Sequence, residues 1–279
     1  MSEHAGQVHA VWDQMAPGWT RETDWLWQAT HELSQWLVDR LAPKPGQTIL
    51  ELAAGTGDTG FLAAKRLGST GKLICSDFVQ AMLDGARSRA ASQGIGNVEF
   101  RLIDAHDMDL TDEAVDGVLC RWGYMLMPDP MRALNETHRV LKPTGRLAFS
   151  VFASPEDNPW ATIVGRSLAE IGHPPQVDPS EPGGIFSMSD RNKVHDMVTA
   201  AGFANTEIVD MTIGWRFRNF DALYTFYTEV AGAVARLIAA LPQTAREVFK
   251  DRLRRVASEY ESHGVYEIPG ACLNVLAHA

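Results

Sequence analysis

The stretch Ile-Leu-Glu-Leu-Ala-Ala-Gly-Thr-Gly-Asp-Thr-Gly, residues 49–60, decides the fold class of this chain. A short apolar run ends in a glycine-rich turn, and a helical pattern follows the turn directly. This order of strand, tight turn and helix N-terminus is typical of a ligand-binding α/β sheet. Gly55, Gly57 and Gly60 even match the G-x-G-x-x-G spacing of a dinucleotide site. The stretch therefore predicts a bound nucleotide or nucleoside at the carboxyl edge of a parallel sheet.

Two acidic residues in the same stretch argue against a dinucleotide. Glu51 lies at the end of the predicted strand and Asp58 at the start of the helix. A pyrophosphate binds to backbone N–H groups at an uncluttered helix N-terminus, where two carboxylates would repel it. The same carboxylates suit a ligand that carries positive charge. S-adenosylmethionine (SAM) has a sulfonium and an ammonium on an adenosine, so the acids favour a methyl-donor pocket over a nicotinamide site.

Strand and helix patterns alternate outward from this stretch, which predicts the α/β class: a doubly wound, mostly parallel seven-stranded sheet of the Rossmann-like kind. Helical patterns before it predict an N-terminal cap, and an amphipathic segment predicts a helical insert before the last strand. That insert is either a substrate lid or a dimer contact. The predicted strands cover residues 48–52, 72–76, 98–103, 115–121, 146–152, 206–217 and 264–277, with a turn at 142–145. The predicted units are the cap 1–45, the core 46–218 with an excursion at about 153–188, the insert 219–263 and the last strand 264–279.

The charge, the cysteines and the apolar runs of the sequence argue against several kinds of partner. The formal net charge is −10 and no stripe of Lys or Arg stands out, so we expect no nucleic-acid partner. The three cysteines lack metal-ligand spacing, so we expect buried free thiols and no metal. Without a signal-peptide pattern or an apolar run of membrane-spanning length, the sequence predicts a cytoplasmic protein with no membrane partner. The oligomeric state stays open, and a homodimer is compatible with the insert.

Carboxylates follow the next two predicted strands. Asp77 ends the second strand, where it can accept hydrogen bonds from a ribose diol or cap the following helix. Asp104 ends the third strand, where it can accept from an adenine amino group or form an Asx turn. Val79 and Met82, three residues apart in the next predicted helix, either line the adenine or fill the core. These positions predict the adenosine end of the pocket.

Aromatic residues are predicted at the methyl end of the same pocket. Arg121 and Trp122 follow the fourth strand, where the Trp122 face would attract a sulfonium by ~0.5–2 kcal/mol or would simply pack in the core. Five of the eight tryptophans precede residue 40. A helix that carries them, with Trp19 among them, would cap the pocket and exclude water, or it would form a hydrophobic clamp without ligand contact.

Residues 49–60 closely resemble motif I of the class I SAM-dependent methyltransferases. Residues 74–78 with Met82, 98–110, 116–130 and 139–147 are similar to the later motifs of that family. The likeness is greatest to the small-molecule branch that includes the ubiquinone/menaquinone-biosynthesis methyltransferases, and it covers residues 49–152. The chain departs from the family at Ala53, where many members carry glycine, and at Thr144.

The resemblance implies the residues that bind the donor. Glu51, Gly55 and Gly57 would bind the methionine end of SAM. Arg121 and Trp122 would lie beside its methyl group. Asp77 and Phe78 would bind ribose and adenine, and Asp104 and Ala105 the adenine. The full predicted set is Glu51, Ala53, Gly55, Gly57, Asp77, Phe78, Met82, Asp104, Ala105, Arg121, Trp122 and Trp19.

The expected reaction is an in-line displacement, in which an O, N or C atom of a small molecule attacks the methyl group and S-adenosylhomocysteine leaves. Positioning can save ~7–11 kcal/mol, and a general base adds ~10²–10⁴-fold where the acceptor must lose a proton. His106 and Tyr124 are the candidate catalytic residues. Aromatic residues in the second half indicate an apolar, aromatic or polyketide-like acceptor, unless they are only the core of the insert. The alternatives are a non-catalytic SAM-binding regulatory protein and a nicotinamide oxidoreductase.

Overall fold

The computed structural model describes residues 3–176 and 178–279. They form an α/β fold, in which helices cover both faces of one β-sheet. The strands are β1 (Thr48–Glu51), β2 (Lys72–Asp77), β3 (Val98–Leu102), β4 (Val115–Arg121), β5 (Leu141–Phe152), β6 (Ala204–Phe217), β7 (Glu261–Ser262) and β8 (Val265–His278). The helices are α1 (Glu3–Arg21), α2 (Thr23–Leu41), α3 (Asp58–Leu67), α4 (Gln80–Ser92), α5 (Pro130–Val140), α6 (Pro159–Glu170), α7 (Arg191–Ala200), α8 (Phe220–Glu229), α9 (Ala233–Ala239) and α10 (Gln243–Ala257).

The sheet order is β3-β2-β1-β4-β5-β8-β6, and the short β7 pairs with β8. The five strands β1 to β5 are parallel, whereas β8 runs antiparallel to β5 and β6. The chain reverses its direction of winding between β1 and β4, and ligands bind at such a switch point in doubly wound sheets. The predicted fold class is confirmed, with eight strands when the two-residue β7 is counted.

Local sequence explains most of the element boundaries. The central strands are apolar runs, as expected for parallel strands covered on both faces, and Val118, Leu119 and Cys120 of β4 are fully buried. Asp129 accepts the N–H of Arg132 at 3.0 Å and Pro130 occupies the first turn, so α5 begins where an N-cap and an N1 proline predict it.

Two predicted boundaries were wrong. β5 begins at Leu141, so residues 142–145 belong to the strand and are not a separate turn. Leu141 pairs with Val115 and Arg146 pairs with Gly117, so the extra residues form an irregularity of the bulge type. The helical pattern also predicts a first helix over residues 7–15, whereas α1 continues through Pro17 to Arg21.

A ribbon of β6 and β8 extends beyond the carboxyl edge of the parallel strands. The last pair between β5 and β8 is Phe152 with Cys272, but β6 and β8 stay paired as far as Phe217 with Tyr266. At about 3.3 Å per residue, this ribbon extends roughly 20 Å past β5. It places Trp215 and Phe217 above the end of β4.

The N-terminal helix packs on both the core and the insert. Ala16 of α1 is buried with Val79 and Met82 at the start of α4. The indole of Trp19 donates to the backbone carbonyl of Val230 at 3.0 Å, just after α8. Within the described residues, no helix has the length and apolar character needed to cross a membrane.

Candidate active site

The loop between β1 and α3 turns in left-handed backbone conformations. Gly55 and Gly57 have φ values of 54° and 84°, and Ala53 adopts φ 49° although it has a side chain. A Cβ at Gly55 would meet no atom within 4 Å, so the space beside it is open to a ligand. A Cβ at Gly123, in contrast, would lie 2.8 Å from that of Ala53. The alanine that departs from the family pattern therefore fits because residue 123 is glycine.

Asp77 braces this loop from the neighbouring strand. One carboxylate oxygen accepts the N–H of Gly55 at 2.9 Å, and the other accepts the N–H of Val79 at 3.0 Å, just before α4. Burial raises the pKa of Asp77 to about 6, while the backbone donors act in the opposite direction. The ionised carboxylate still has lone pairs for a diol, because each oxygen can accept more than one hydrogen bond.

Glu51 packs under the N-terminus of α3. Its Oε1 accepts the N–H of Gly60 at 2.7 Å, whereas Oε2 is buried without a hydrogen-bond partner. A Cβ at Gly60 would overlap that oxygen, so only glycine leaves room for the carboxyl group. Burial raises the pKa of Glu51 to about 8, and the folded protein therefore holds this group largely as the neutral acid at pH 7.

Asp58 is neutralised by arginines. Its Oδ1 lies 2.7 Å from Nη2 of Arg89, and its Oδ2 lies 3.9 Å from Nη2 of Arg121. Thr56 donates a further hydrogen bond at 3.2 Å. Together with the raised pKa of Glu51, these ion pairs correct the electrostatic argument from sequence. The two acids do not supply free negative charge for a sulfonium.

Arg121 and Trp122 lie together where β4 ends. The guanidinium is 5.1 Å from the Trp122 ring, and its Nη1 is buried without a hydrogen-bond partner. Trp122 has φ 61° and donates its indole N–H to the Cys272 sulfur at 3.3 Å. No pattern in the sequence indicated Arg89 or Cys272, because α4 and β8 bring them here from distant positions.

His106 forms a pair with Asp104 at the far edge of the sheet. A single oxygen of Asp104 accepts from the backbone N–H of His106 at 2.9 Å and contacts its ring Nδ1 at 2.6 Å. The ring Nε2 is buried and has no partner. Three strand spacings of about 4.8 Å, roughly 14 Å in all, separate β3 from β4. This separation places the pair near the adenosine end and far from Trp122, which argues against a base at the methyl group.

Tyr124 lies in the core and not in the pocket. Its side chain is fully buried, its hydroxyl is 2.7 Å from the Thr137 hydroxyl, and its ring packs edge-on against Phe149. These contacts give the side chain a structural role and argue against its predicted part in catalysis.

The remaining predicted donor residues pack near the start of α4 or in the main core. Met82 is buried in the cluster with Ala16 and Val79, and Phe78 and Trp19 pack against that cluster. Ala105 is buried in the main core. The cap helix thus covers the start of α4, while the Trp19 indole N–H is used on the insert.

The site fits SAM on its own features. Asp77 offers a carboxylate for the ribose diol, and open space lies beside Gly55. Glu51 Oε2 and Arg121 Nη1 are a buried acceptor and a buried donor without partners, as a zwitterionic amino-acid group requires. Among the described residues, no three His, Cys, Asp or Glu side chains come together to hold a metal ion.

This sheet order and glycine loop define the α/β fold of class I methyltransferases. Residues 43–216 match the sequence profile described as a methyltransferase domain, and the chain belongs to that family. The protein is a SAM-dependent methyltransferase, which excludes the nicotinamide oxidoreductase considered from the sequence.

Known proteins place the chain more narrowly. It is 32% identical over 159 residues to the 2-phytyl-1,4-naphtoquinone methyltransferase of a Nostoc species, covering 56% of this chain and 69% of that protein. It is 30% identical over 223 residues to the demethylmenaquinone methyltransferase of Clavibacter sepedonicus, covering 77% and 89%. The crystal structure of YcgJ from Bacillus subtilis superposes with a TM-score of 0.59 at 18% identity, covering 89% and 98%, which shows the shared fold. The predicted resemblance to quinone-biosynthesis methyltransferases is confirmed.

Proposed function

We propose that this methyltransferase acts on a small, mostly apolar aromatic molecule of the hydroquinone type. The observation that carries the proposal is a continuous cluster of rings that begins at Trp122. Trp122 packs 4.7 Å from Phe152 and 5.9 Å from Trp215, measured between ring centroids. Trp215 in turn contacts Trp160 at 5.1 Å and Phe226 at 5.4 Å. The surroundings of the proposed methyl position are therefore aromatic.

These rings pack against one another. Trp215 and Phe226 are almost fully buried, which agrees with the alternative that the rings form the core of the insert. An aromatic acceptor would replace ring–ring contacts, each worth about 0.5–1.5 kcal/mol beyond burial, with equivalent ones. Entry then requires α8 to move, and we propose that the insert is a lid. A cavity of about 310 Å³ lies between α1, α8 and α9.

The names of the two relatives support the same class of acceptor. One is named for a naphthoquinone and the other for demethylmenaquinone. Both quinones are apolar molecules with an aromatic ring system. A molecule of this kind could pack against the rings around Trp122.

The site residues would position the two reactants. The donor supplies an already activated methyl group when bound, so orientation and exclusion of water are the main tasks of the protein. Asp77 and the loop at Gly55 would bind the adenosine of SAM. Trp122 would line the pocket beside its methyl group. The acceptor atom would bond to the methyl carbon while the C–S bond breaks and its electron pair stays on sulfur. The acceptor would release one proton to water once the site reopens.

Product analysis by mass spectrometry tests the proposal. The protein would be incubated with methyl-deuterated SAM and either 1,4-naphthohydroquinone and simple phenols or the polar acceptors glycine and phosphoethanolamine. We expect labelled product from the aromatic group only. Labelled glycine or phosphoethanolamine alone would contradict the proposed acceptor class. Binding of SAM without turnover of any acceptor would favour the regulatory alternative.

Substitution of Trp215 by leucine tests the ring cluster. We expect a higher KM for the aromatic acceptor with little change in the affinity for SAM. Trp27→Leu is the matched control, because Trp27 contacts only His31 among the aromatic pairs of the described residues. Equal effects of the two substitutions would argue that the cluster does not contact the acceptor.

A further inference from the structure

Arg121 carries a buried positive charge with an unused donor. Only 8% of its side chain is exposed, and its Nη1 has no hydrogen-bond partner among the residues that the structure describes. Burial of a guanidinium is costly unless its charge and its N–H groups are paired. A buried donor without a partner in a methyltransferase pocket is therefore a candidate for contact with a ligand.

The neighbouring acids do not use this donor. Asp58 binds Arg89 at 2.7 Å, whereas its contact with Arg121 is 3.9 Å and is too long for a hydrogen bond. Burial raises the pKa of Glu51 to about 8, so this carboxyl group is mostly uncharged at pH 7. Asp77 accepts backbone N–H groups with both of its oxygens. Asp58 already accepts from Arg89 and Thr56, so no acid among the described residues lies within hydrogen-bond distance of the Arg121 guanidinium.

The position of Arg121 selects the anion. The residue ends β4, which pairs with β1 beside the glycine loop, and the N-terminus of α3 is adjacent through Asp58. A helix N-terminus adds partial positive charge at the same place. The methionine end of SAM carries an α-carboxylate, and a planar guanidinium is suited to bind that group.

We propose that Arg121 binds the α-carboxylate of the donor through its Nη1, where the sequence had indicated only a position beside the methyl group. The inference rests on SAM as the donor and is independent of the proposed acceptor. Arg121 then discriminates between donors with and without the carboxylate.

Calorimetry with a matched pair of ligands tests the inference without any acceptor. S-adenosylhomocysteine and its decarboxylated analogue, which has a 3-aminopropyl group on sulfur, differ only in the carboxylate. For the unmodified protein we expect the analogue to bind about ten- to a hundredfold more weakly, the typical effect of a hydrogen bond to a charged group. In Arg121→Gln, the affinity for S-adenosylhomocysteine should fall by a similar factor, while the affinity for the analogue should not change.

Two further variants keep the test decisive. Arg89→Gln removes a charge from the same Asp58, so it should lower stability but preserve the affinity ratio of the two ligands. Arg121→Lys keeps the charge and should retain part of the ratio, which provides a measurement if Arg121→Gln fails to fold. An affinity ratio in Arg121→Gln or Arg121→Lys equal to that of the unmodified protein would overturn the proposal and leave Arg121 as a structural partner of Asp58.

Discussion

The carboxylate of Asp77 accepts the backbone N–H of Gly55 at 2.9 Å, so the end of β2 fixes the loop that follows β1. One side chain thereby connects the predicted ribose position with the glycine turn. The contact stabilises a loop that contains three residues in left-handed backbone conformations. Binding of the donor then costs less ordering entropy than it would with a mobile loop.

Asp77→Asn should weaken binding of S-adenosylhomocysteine by about 1.5–3 kcal/mol, the usual worth of hydrogen bonds to a charged group. The amide can still accept one backbone N–H, but it loses the carboxylate that the diol requires. Calorimetry gives the affinity directly. Asp104→Asn is the comparison, and its effect should be smaller because 62% of the Asp104 side chain is exposed. Unchanged affinity in a folded Asp77→Asn protein would remove Asp77 from the pocket.

Glu51→Gln should alter the pH dependence of stability. Burial raises the pKa of Glu51 from 4.5 to about 8, so between these values the folded protein holds a proton that the unfolded chain releases. The contribution of Glu51 is therefore fully present below pH 4.5 and is lost as the pH rises through 8. We expect urea unfolding between pH 5 and pH 8 to show a loss, on the order of a few kcal/mol, that is absent from Glu51→Gln. The exposed Glu247→Gln is the control, and identical pH profiles for all three proteins would contradict the raised pKa.

Tyr124→Phe should lower the free energy of unfolding and leave catalysis intact. The substitution removes a hydroxyl bonded to Thr137 in the core, which costs about 0.5–1.5 kcal/mol. Denaturant titration and steady-state kinetics on the same preparation separate the two effects. A large fall in kcat with unchanged stability would restore the catalytic role predicted from the sequence.

His106→Gln should leave the pH dependence of kcat unchanged and raise the KM for SAM only modestly. Its ring pairs with Asp104 about three strands away from Trp122, so it contributes to the adenosine end. The pH–rate profile with a hydroquinone acceptor provides the measurement. The loss of an ionisation from that profile would instead identify His106 as the base.

Gly18→Ala should detach the cap helix from the insert. A Cβ at Gly18 would overlap the backbone carbonyl of Glu229, so α1 cannot keep its present distance from α8. Limited proteolysis should then cleave within the N-terminal helix while the sheet survives. Gly96→Ala, where a Cβ meets no atom within 4 Å, is the control. Equal proteolysis of the two variants would contradict the close packing.

The features predicted from the sequence depend on residues that are close together in the chain. The glycine turn, Asp77 at a strand end and the N-cap at Asp129 are local signals, and they located the sheet, the loop and α5. The partners of Asp58 could not be inferred, because Arg89 and Arg121 reach it from α4 and β4. The bounds of β6 and β8 were predicted to within two residues, but their pairing beyond β5 was not, because it joins segments that are distant in the sequence. The burial of Tyr124 likewise depends on its packing against α5 and β5.

The contact of Trp19 with Val230 joins segments that are 211 residues apart in the chain. During synthesis at ~5–20 residues per second, the first helix leaves the ribosome roughly 10–40 s before its partner exists. Throughout that interval, the apolar surface that later meets the insert has no native cover. The face of α1 that meets the insert can therefore reach its native environment only after residues near Val230 have been translated.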